Sequence, residues 1–281
     1  MQTVHDAGAL RAAIRGWRAA GQTVGFVPTM GNLHAGHFSL VRLARARADR
    51  VVASVFVNPT QFGPNEDFAR YPRTLVQDQA GLAEHQCDLL FAPDVATMYP
   101  YGPEHTVRLS VPQITETLEG AHRPGHFDGV ATVVCKLFNL VQPDLAVFGQ
   151  KDFQQLKVIE RMVRDLGLPV KVIAAPTQRA EDGLALSSRN QYLGEAERAL
   201  APRIHQVLVQ MRDMLAKGHA PRVLEQAGAG QLERAGFAPD YVAIRRAEDL
   251  AEPAAGERSG LVGLVAARLG STRLIDNLLF D

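Results

Sequence analysis

Through its first two thirds the chain alternates short β-branched runs with amphipathic helical patterns, and this alternation limits the fold more than any other feature. Strands are predicted at residues 24–27, 51–57, 89–92, 146–148 and 170–174. Helices are predicted at 38–48, 74–86, 130–141 and 153–166. This order predicts an α/β fold with an open parallel sheet and ligands above the carboxyl ends of its strands. After Pro176 the texture changes. A polar, charged loop (177–190) leads into a long helical stretch (195–217) and a second helix near 221–235. Short strands follow at 241–245, 261–267 and 272–276, which predicts a smaller α+β domain. The domains are therefore read as 1–176 and 177–281. Within the second, the segment Ala227-Gly228-Ala229-Gly230 and the loop 253–260 read as mild flexibility signals rather than linkers.

A chain of 281 residues can bury one large core or two ordinary ones. Its 30 Lys and Arg balance 30 Asp and Glu, so no global field recruits nucleic acid or an anionic membrane. The two cysteines, Cys87 and Cys135, lie in apolar surroundings and read as packing residues, since a disulfide framework or zinc site needs more. Residues 1–18 are polar and helical, unlike a secretory signal. No apolar run approaches the roughly 20 residues of a spanning helix. The expectation is a soluble, cytoplasmic protein.

Nearly every unusual residue cluster falls directly after a predicted strand. Pro28-Thr29-Met30-Gly31-Asn32-Leu33-His34-Ala35-Gly36-His37 follows an apolar run and precedes a helix. Such a junction turns backbone N–H groups and a positive helix end toward a ligand, which suits phosphate. His34 and His37 are three apart, so both rings can share one side of the first turn, and Gly36 lets a ligand approach the backbone. Imidazoles there stabilise charge on a leaving pyrophosphate. Capping histidines, or a metal pair lacking its third ligand, are the alternatives. Asn58 and Gln61, in Ser54-Val55-Phe56-Val57-Asn58-Pro59-Thr60-Gln61-Phe62, carry amides suited to orienting a small polar ligand. An Asn-Pro turn is the plainer explanation.

Three further clusters share this character. The loop from Glu119 to Gly129 holds Arg123, able to pair a carboxylate bidentately, and His126. A solvated loop is its alternative. Gly149-Gln150-Lys151-Asp152 repeats the strand–Gly–helix theme, with Lys151 placed for phosphate oxygens and Gln155 one turn on. For Asp152 a helix cap is the plainer reading, and one that is compatible with a ligand contact. Leu186-Ser187-Ser188-Arg189 offers two hydroxyls, two exposed N–H groups and a guanidinium, a small phosphate nest or else a capped surface loop. No Walker A, Gly-x-Gly-x-x-Gly, Gly-x-Ser-x-Gly or zinc spacing competes with these clusters.

Together with Tyr71-Pro72-Arg73-Thr74, these segments resemble the bacterial pantothenate synthetase (pantoate–β-alanine ligase) family, in the family's order and over essentially the whole chain. The histidine segment alone is similar to the wider HxGH nucleotidyltransferase superfamily. The resemblance implies a Rossmann-like N-terminal domain with helices on both faces, a smaller C-terminal lid and a homodimer. It implies that ATP and Mg²⁺ activate pantoate to pantoyl adenylate, and that β-alanine then displaces AMP. By the same resemblance Met30, Gly31, Asn32, Leu33, His34, Ala35, Gly36 and His37 hold ATP, and His34, His37 and Lys151 act in catalysis. Gly149, Gln150, Lys151, Asp152, the main chain at Gln178, Leu186, Ser187, Ser188 and Arg189 complete the nucleotide site. Gln61 contacts pantoate and β-alanine, Gln155 binds pantoate, and Asn58, Arg123 and His126 are further candidates for substrate contacts. Gln178 stands where the family usually has a small aliphatic residue, a change that a backbone contact survives. Asp78 is a candidate helper for the metal, but no protein ligand is assigned, because Mg²⁺ is often held by phosphates and water.

The implied chemistry agrees with the residue types. A carboxylate attacking phosphorus is already an anion at neutral pH, so it needs positioning and charge neutralisation rather than a base. No side-chain base stands out for the amine step. Two other readings remain: a nucleotidyltransferase that keeps AMP in its product, and a nucleic-acid-binding synthetase relative or inactive ATP sensor. Charge balance argues against the RNA version.

Overall fold

The computed structural model describes residues 1–64 and 66–280, apart from the side chain of Asp67. The chain divides into two units, Met1–Gln150 with Val158–Pro176, and Lys151–Lys157 with the chain from Thr177 onward. Up to Ala175 the elements are β1 (Gln2–Val4), α1 (Ala7–Ala19), β2 (Val24–Thr29), α2 (Ala35–Arg45), β3 (Arg50–Val55), α3 (Leu75–Glu84) and β4 (Leu89–Phe91). They continue with α4 (Val95–Met98), α5 (Glu119–His122), α6 (His126–Val141), β5 (Leu145–Gly149), α7 (Phe153–Asp165) and β6 (Lys171–Ala175).

The six strands form one sheet in the order β1-β4-β3-β2-β5-β6, with every pair parallel. The chain steps outward from β2 to β3 and β4, then returns to place β5 on the other side of β2. That reversal is a topological switch point, where the carboxyl ends of neighbouring strands open a crevice. Side chains alternate across β2. Val27 faces Leu40, Val41 and Ala44 of α2, while Phe26 meets Phe138 of α6 edge-on at 6.3 Å. Burying a ring of this size contributes roughly 1.5–3 kcal/mol. A Cβ on Gly25 would lie 3.3 Å from that of Ala44, so the missing side chain lets α2 sit close on β2.

The first eighteen residues are not wholly helical, as the sequence suggests, because Gln2–Val4 form an edge strand on β4. The helix predicted at 130–141 begins earlier, at His126. Gly125, in the left-handed region at φ 79°, turns the chain into it.

The second unit carries α8 (Glu195–Leu200), α9 (Arg203–Ala216), α10 (Pro221–Arg234), β7 (Phe237–Arg246), β8 (Leu261–Leu269) and β9 (Thr272–Phe280). The strands make an antiparallel sheet β7-β8-β9, packed against α9 and α10 through Leu208, Leu232 and Val265. The single helix expected over 195–217 is two helices. Pro202 has no N–H to donate, and its ring clashes with the preceding turn. The Ala-Gly repeat at 227–230 is helical rather than flexible. A Cβ on Gly228 would meet Met211 Sδ at 3.0 Å, so the small residue is what lets α10 approach α9.

Among the described residues no helix is long and apolar enough to cross a membrane. Both cysteines are free, and burial pushes the Cys87 thiol up to about 12.

Candidate active site

The loop after β2 is built by hydrogen bonds to its own main chain. The Thr29 hydroxyl donates to Ser54 O at 2.7 Å and accepts the Gly31 N–H at 3.2 Å. Gly31 and Asn32 are left-handed, at φ 87° and 52°. This turns the N–H groups of Asn32 and Leu33 onto the buried Asp78 carboxylate, at 3.0 and 2.8 Å. The Thr74 hydroxyl reaches the same carboxylate at 3.3 Å. Asp78, a candidate metal helper in the sequence, therefore has both oxygens engaged in shaping this loop.

At the start of α2 the two histidines cap each other's turn. His34, the extended N-cap residue, accepts the Gly36 N–H on Nδ1 at 3.1 Å. His37, three residues on, accepts the His34 N–H on its own Nδ1 at 3.3 Å. This is the reciprocal arrangement that Ser/Thr and Glu/Gln usually make at helix starts. Because each Nδ1 accepts, each neutral ring carries its proton on Nε2, making Nε2 a donor. The rings lie 4.2 Å apart, centroid to centroid. The capping reading of the pair holds, and it sets the tautomer that a phosphate-binding pair needs.

After β3, a 3₁₀ turn at Pro59–Gln61 carries the amide pair. Asn58, 1% exposed, caps that turn. Its Oδ1 accepts Tyr99 OH at 2.6 Å and the Thr60 hydroxyl at 3.0 Å. Its Nδ2 donates to Gln61 Oε1 at 3.0 Å and to Gly129 O at 3.2 Å. Burial pushes the Tyr99 hydroxyl up, which keeps it a donor. With its oxygen held, Gln61 offers its NH₂, which lies 3.2 Å from Met30 Sδ.

Arg123 finds the carboxylate its fork suggests inside the protein. Nε donates to Glu66 Oε1 at 2.7 Å, Nη2 to Glu66 Oε2 at 2.5 Å, and Nη1 to Glu119 Oε1 at 3.3 Å. Burial pushes the Glu66 carboxyl up, but the Arg123 hydrogen bond and charge outweigh it and hold the group below its usual range. His126 Nδ1 lies 2.8 Å from Gln61 O, and its Nε2 lies 3.0 Å from Arg123 Nη1. Burial, then the Arg123 charge, lowers the His126 pKa to about 4.

Gly149 ends β5, the neighbour of β2, and Gln150–Asp152 form a 3₁₀ turn into α7. In the second unit, Lys151 O accepts the Asn277 side-chain amide at 2.8 Å. Asp276 beside it takes both Arg179 nitrogens, at 2.6 and 2.9 Å. Strand β9 thus fixes Lys151 and the start of a small hairpin, in which Leu186 N–H donates to Gln178 O at 2.9 Å. Of the N–H groups expected to be exposed there, that of Arg189 is taken by Ser187 Oγ at 3.2 Å, a cap on the Ser188–Tyr192 turn. Gln155 and Lys151 are half-buried and Asp152 is exposed.

The residues that sequence reasoning missed are those holding the site rather than presenting it: Glu66, Glu119 as a carboxylate partner, Tyr99, Asp276 and Asn277. Asp78 alone had a signal for burial, since it shares a helical stripe with Leu75 and Leu82. Among the described residues no group of three His, Cys, Asp or Glu side chains could hold a metal ion.

A family model described as Pantoate-beta-alanine ligase matches residues 2–279. The chain is 57% identical over 280 residues to a pantothenate synthetase of Xanthomonas oryzae pv. oryzae, covering all of both chains. A Thermus thermophilus pantothenate synthetase structure superposes with TM-score 0.93 at 51% identity, covering 100% of this chain and 99% of that one. A Francisella tularensis pantoate–β-alanine ligase, described as complexed with β,γ-ATP and β-alanine, matches with TM-score 0.83 at 34% identity, covering 100% of this chain and 98% of that one. The chain belongs to the pantoate–β-alanine ligase family, a family of ligases.

Proposed function

We propose that the chain condenses pantoate with β-alanine in two steps at the expense of ATP. The observation that carries this reading is full-length identity of 57% with a pantothenate synthetase. The geometry supplies the chemistry. A pantoate carboxylate oxygen attacks the α-phosphorus of ATP, the bond to the β-phosphoryl oxygen breaks, and pyrophosphate leaves. The Nε2–H groups of His34 and His37, at the positive end of α2, donate hydrogen bonds to the phosphate oxygens as charge develops. Met30, Gly31, Asn32, Leu33, Ala35 and Gly36 form the loop that meets the same nucleotide, its shape set by the Asp78 carboxylate on the Asn32 and Leu33 N–H groups. Gly149, Gln150, Asp152, the Gln178 main chain and Leu186–Arg189 serve the same nucleotide. Lys151 adds a cationic contact, positioned through its carbonyl by Asn277.

The Gln61 amide, its oxygen held by Asn58, donates to pantoate, and Gln155 binds the same substrate. β-Alanine nitrogen, as the free amine, then attacks the acyl carbon, the carbon–oxygen bond to AMP breaks, and the amide forms as the nitrogen gives one proton to water and keeps the other. Mg²⁺ enters as the counterion of ATP. The same reading proposes a homodimer, which light scattering during gel filtration tests.

The decisive test is product analysis with ATP, Mg²⁺ and pantoate, with and without β-alanine. Equal amounts of pyrophosphate and AMP, formed continuously only when β-alanine is present, support the two-step ligase. Absence of pantoate-dependent pyrophosphate overturns it, and a nucleotide-bearing product would point to a nucleotidyltransferase instead.

A further inference from the structure

We infer that Arg123, acting through His126, is a positioning residue that sets the main chain of Gln61, with Glu66 and Glu119 as its counter-ions. The inference rests on the reading of Gln61 as a pantoate contact. The guanidinium is surrounded: besides its two carboxylates it meets His126 Nε2 at 3.0 Å and Gln61 O at 3.4 Å. Its side chain is 15% exposed, Glu119's 9% and Glu66's 25%. The donors expected to face a substrate are thus directed into the protein.

The chemistry of the three groups fixes their order. A guanidinium only donates and a carbonyl only accepts, so the imidazole joining them must carry its proton on Nδ1 and accept on Nε2. His126 is therefore neutral and hands its N–H to Gln61 O at 2.8 Å. Two facts make this more than local packing. Gln61 is held at both ends, its side-chain oxygen by Asn58 and its carbonyl by His126 and Arg123. The first turn of α6 also lies directly on the Gln61 turn, where a Cβ on Gly129 would stand 2.7 Å from Gln61 N. Lysine cannot replace this arginine, because an ammonium group is a point donor and cannot reach Glu66, Glu119, His126 and Gln61 O together.

Steady-state kinetics on R123K, H126A and H126N, with Q61A as reference, tests the assignment. R123K and H126A should raise the pantoate KM about tenfold, the scale of one lost buried hydrogen bond, and leave the ATP KM within about twofold. H126N, whose amide can donate from near the Nδ1 position, should restore most of the pantoate affinity. A pantoate KM unchanged in R123K and H126A, while Q61A raises it, overturns the positioning role alone. Equal rises in the ATP and pantoate KM, or loss of the folded circular dichroism spectrum, assign these residues to general structure and overturn it too. If Q61A itself leaves the pantoate KM unchanged, the reading of Gln61 fails and takes this inference with it.

Discussion

At the scale of single residues, the site is a set of side chains whose atoms each have a fixed direction. His37 returns a cap to His34 N–H through Nδ1, and in the proposed reaction its Nε2–H meets phosphate. His37→Ala removes both. Losing one charge-stabilising donor should slow adenylate formation about 10²–10³-fold, and Lys151→Ala should do the same. Losing this one hydrogen bond of the capping box should cost about 0.5–1.5 kcal/mol of stability in the histidine variant. Pyrophosphate release measures the first and denaturant unfolding the second; near-normal release in both variants contradicts these roles.

His126 makes a prediction of opposite character. Its folded pKa, about 4, lies below the ordinary histidine value of 6.5, so the native state holds it neutral beside Arg123, Glu119 and Glu66. Above pH 6.5 neither state binds the proton, and the group leaves stability independent of pH. Between pH 6.5 and 4 the unfolded chain takes the proton first, and stability falls by about 3 kcal/mol. Denaturant midpoints across this window should drop in the wild type and drop less in H126N. Parallel pH profiles for the two would contradict the buried neutral imidazole.

At the scale of elements, α6 is the piece that packs on the turn carrying Gln61, the proposed pantoate contact. Gly129→Ala would drive a methyl to 2.4 Å from Thr60 O, a backbone atom with little room to move. Overpacking of this kind costs about 1–3 kcal/mol. The variant should unfold at lower denaturant and bind pantoate more weakly, and calorimetric titration with pantoate measures the second effect. Unchanged pantoate affinity would show that the turn and the helix are not coupled.

The same element shows what a sequence can and cannot reveal. Gly129 and His126 stand out as unusual residues before a helix, and the spacing of His34 and His37 is that of an N-cap and N3 pair. Their neighbours do not stand out. Glu66 sits among ordinary polar residues and Asn277 beside Asp276 in a mostly apolar strand, and only the fold brings them to Arg123 and Lys151. Short edge strands are equally silent: three residues at 2–4 form β1 because β4 is there to receive them.

At the scale of the whole molecule, the β-α alternation of the first two thirds is enough to predict the parallel sheet, because each strand needs a crossover helix to reach its parallel neighbour. The position of the switch point was not legible. It depends on β5 pairing with β2 rather than with β4, a choice made by packing on both faces. Once β2 and β5 are neighbours, the histidine loop and Gly149 both stand at carboxyl ends beside the crevice. In the proposed reaction a carboxylate oxygen, not water, attacks ATP. It is tested most directly with pantoate carrying ¹⁸O in both carboxylate oxygens. One ¹⁸O should appear in the phosphate of AMP and the other in the amide carbonyl of the product. AMP free of label would contradict it.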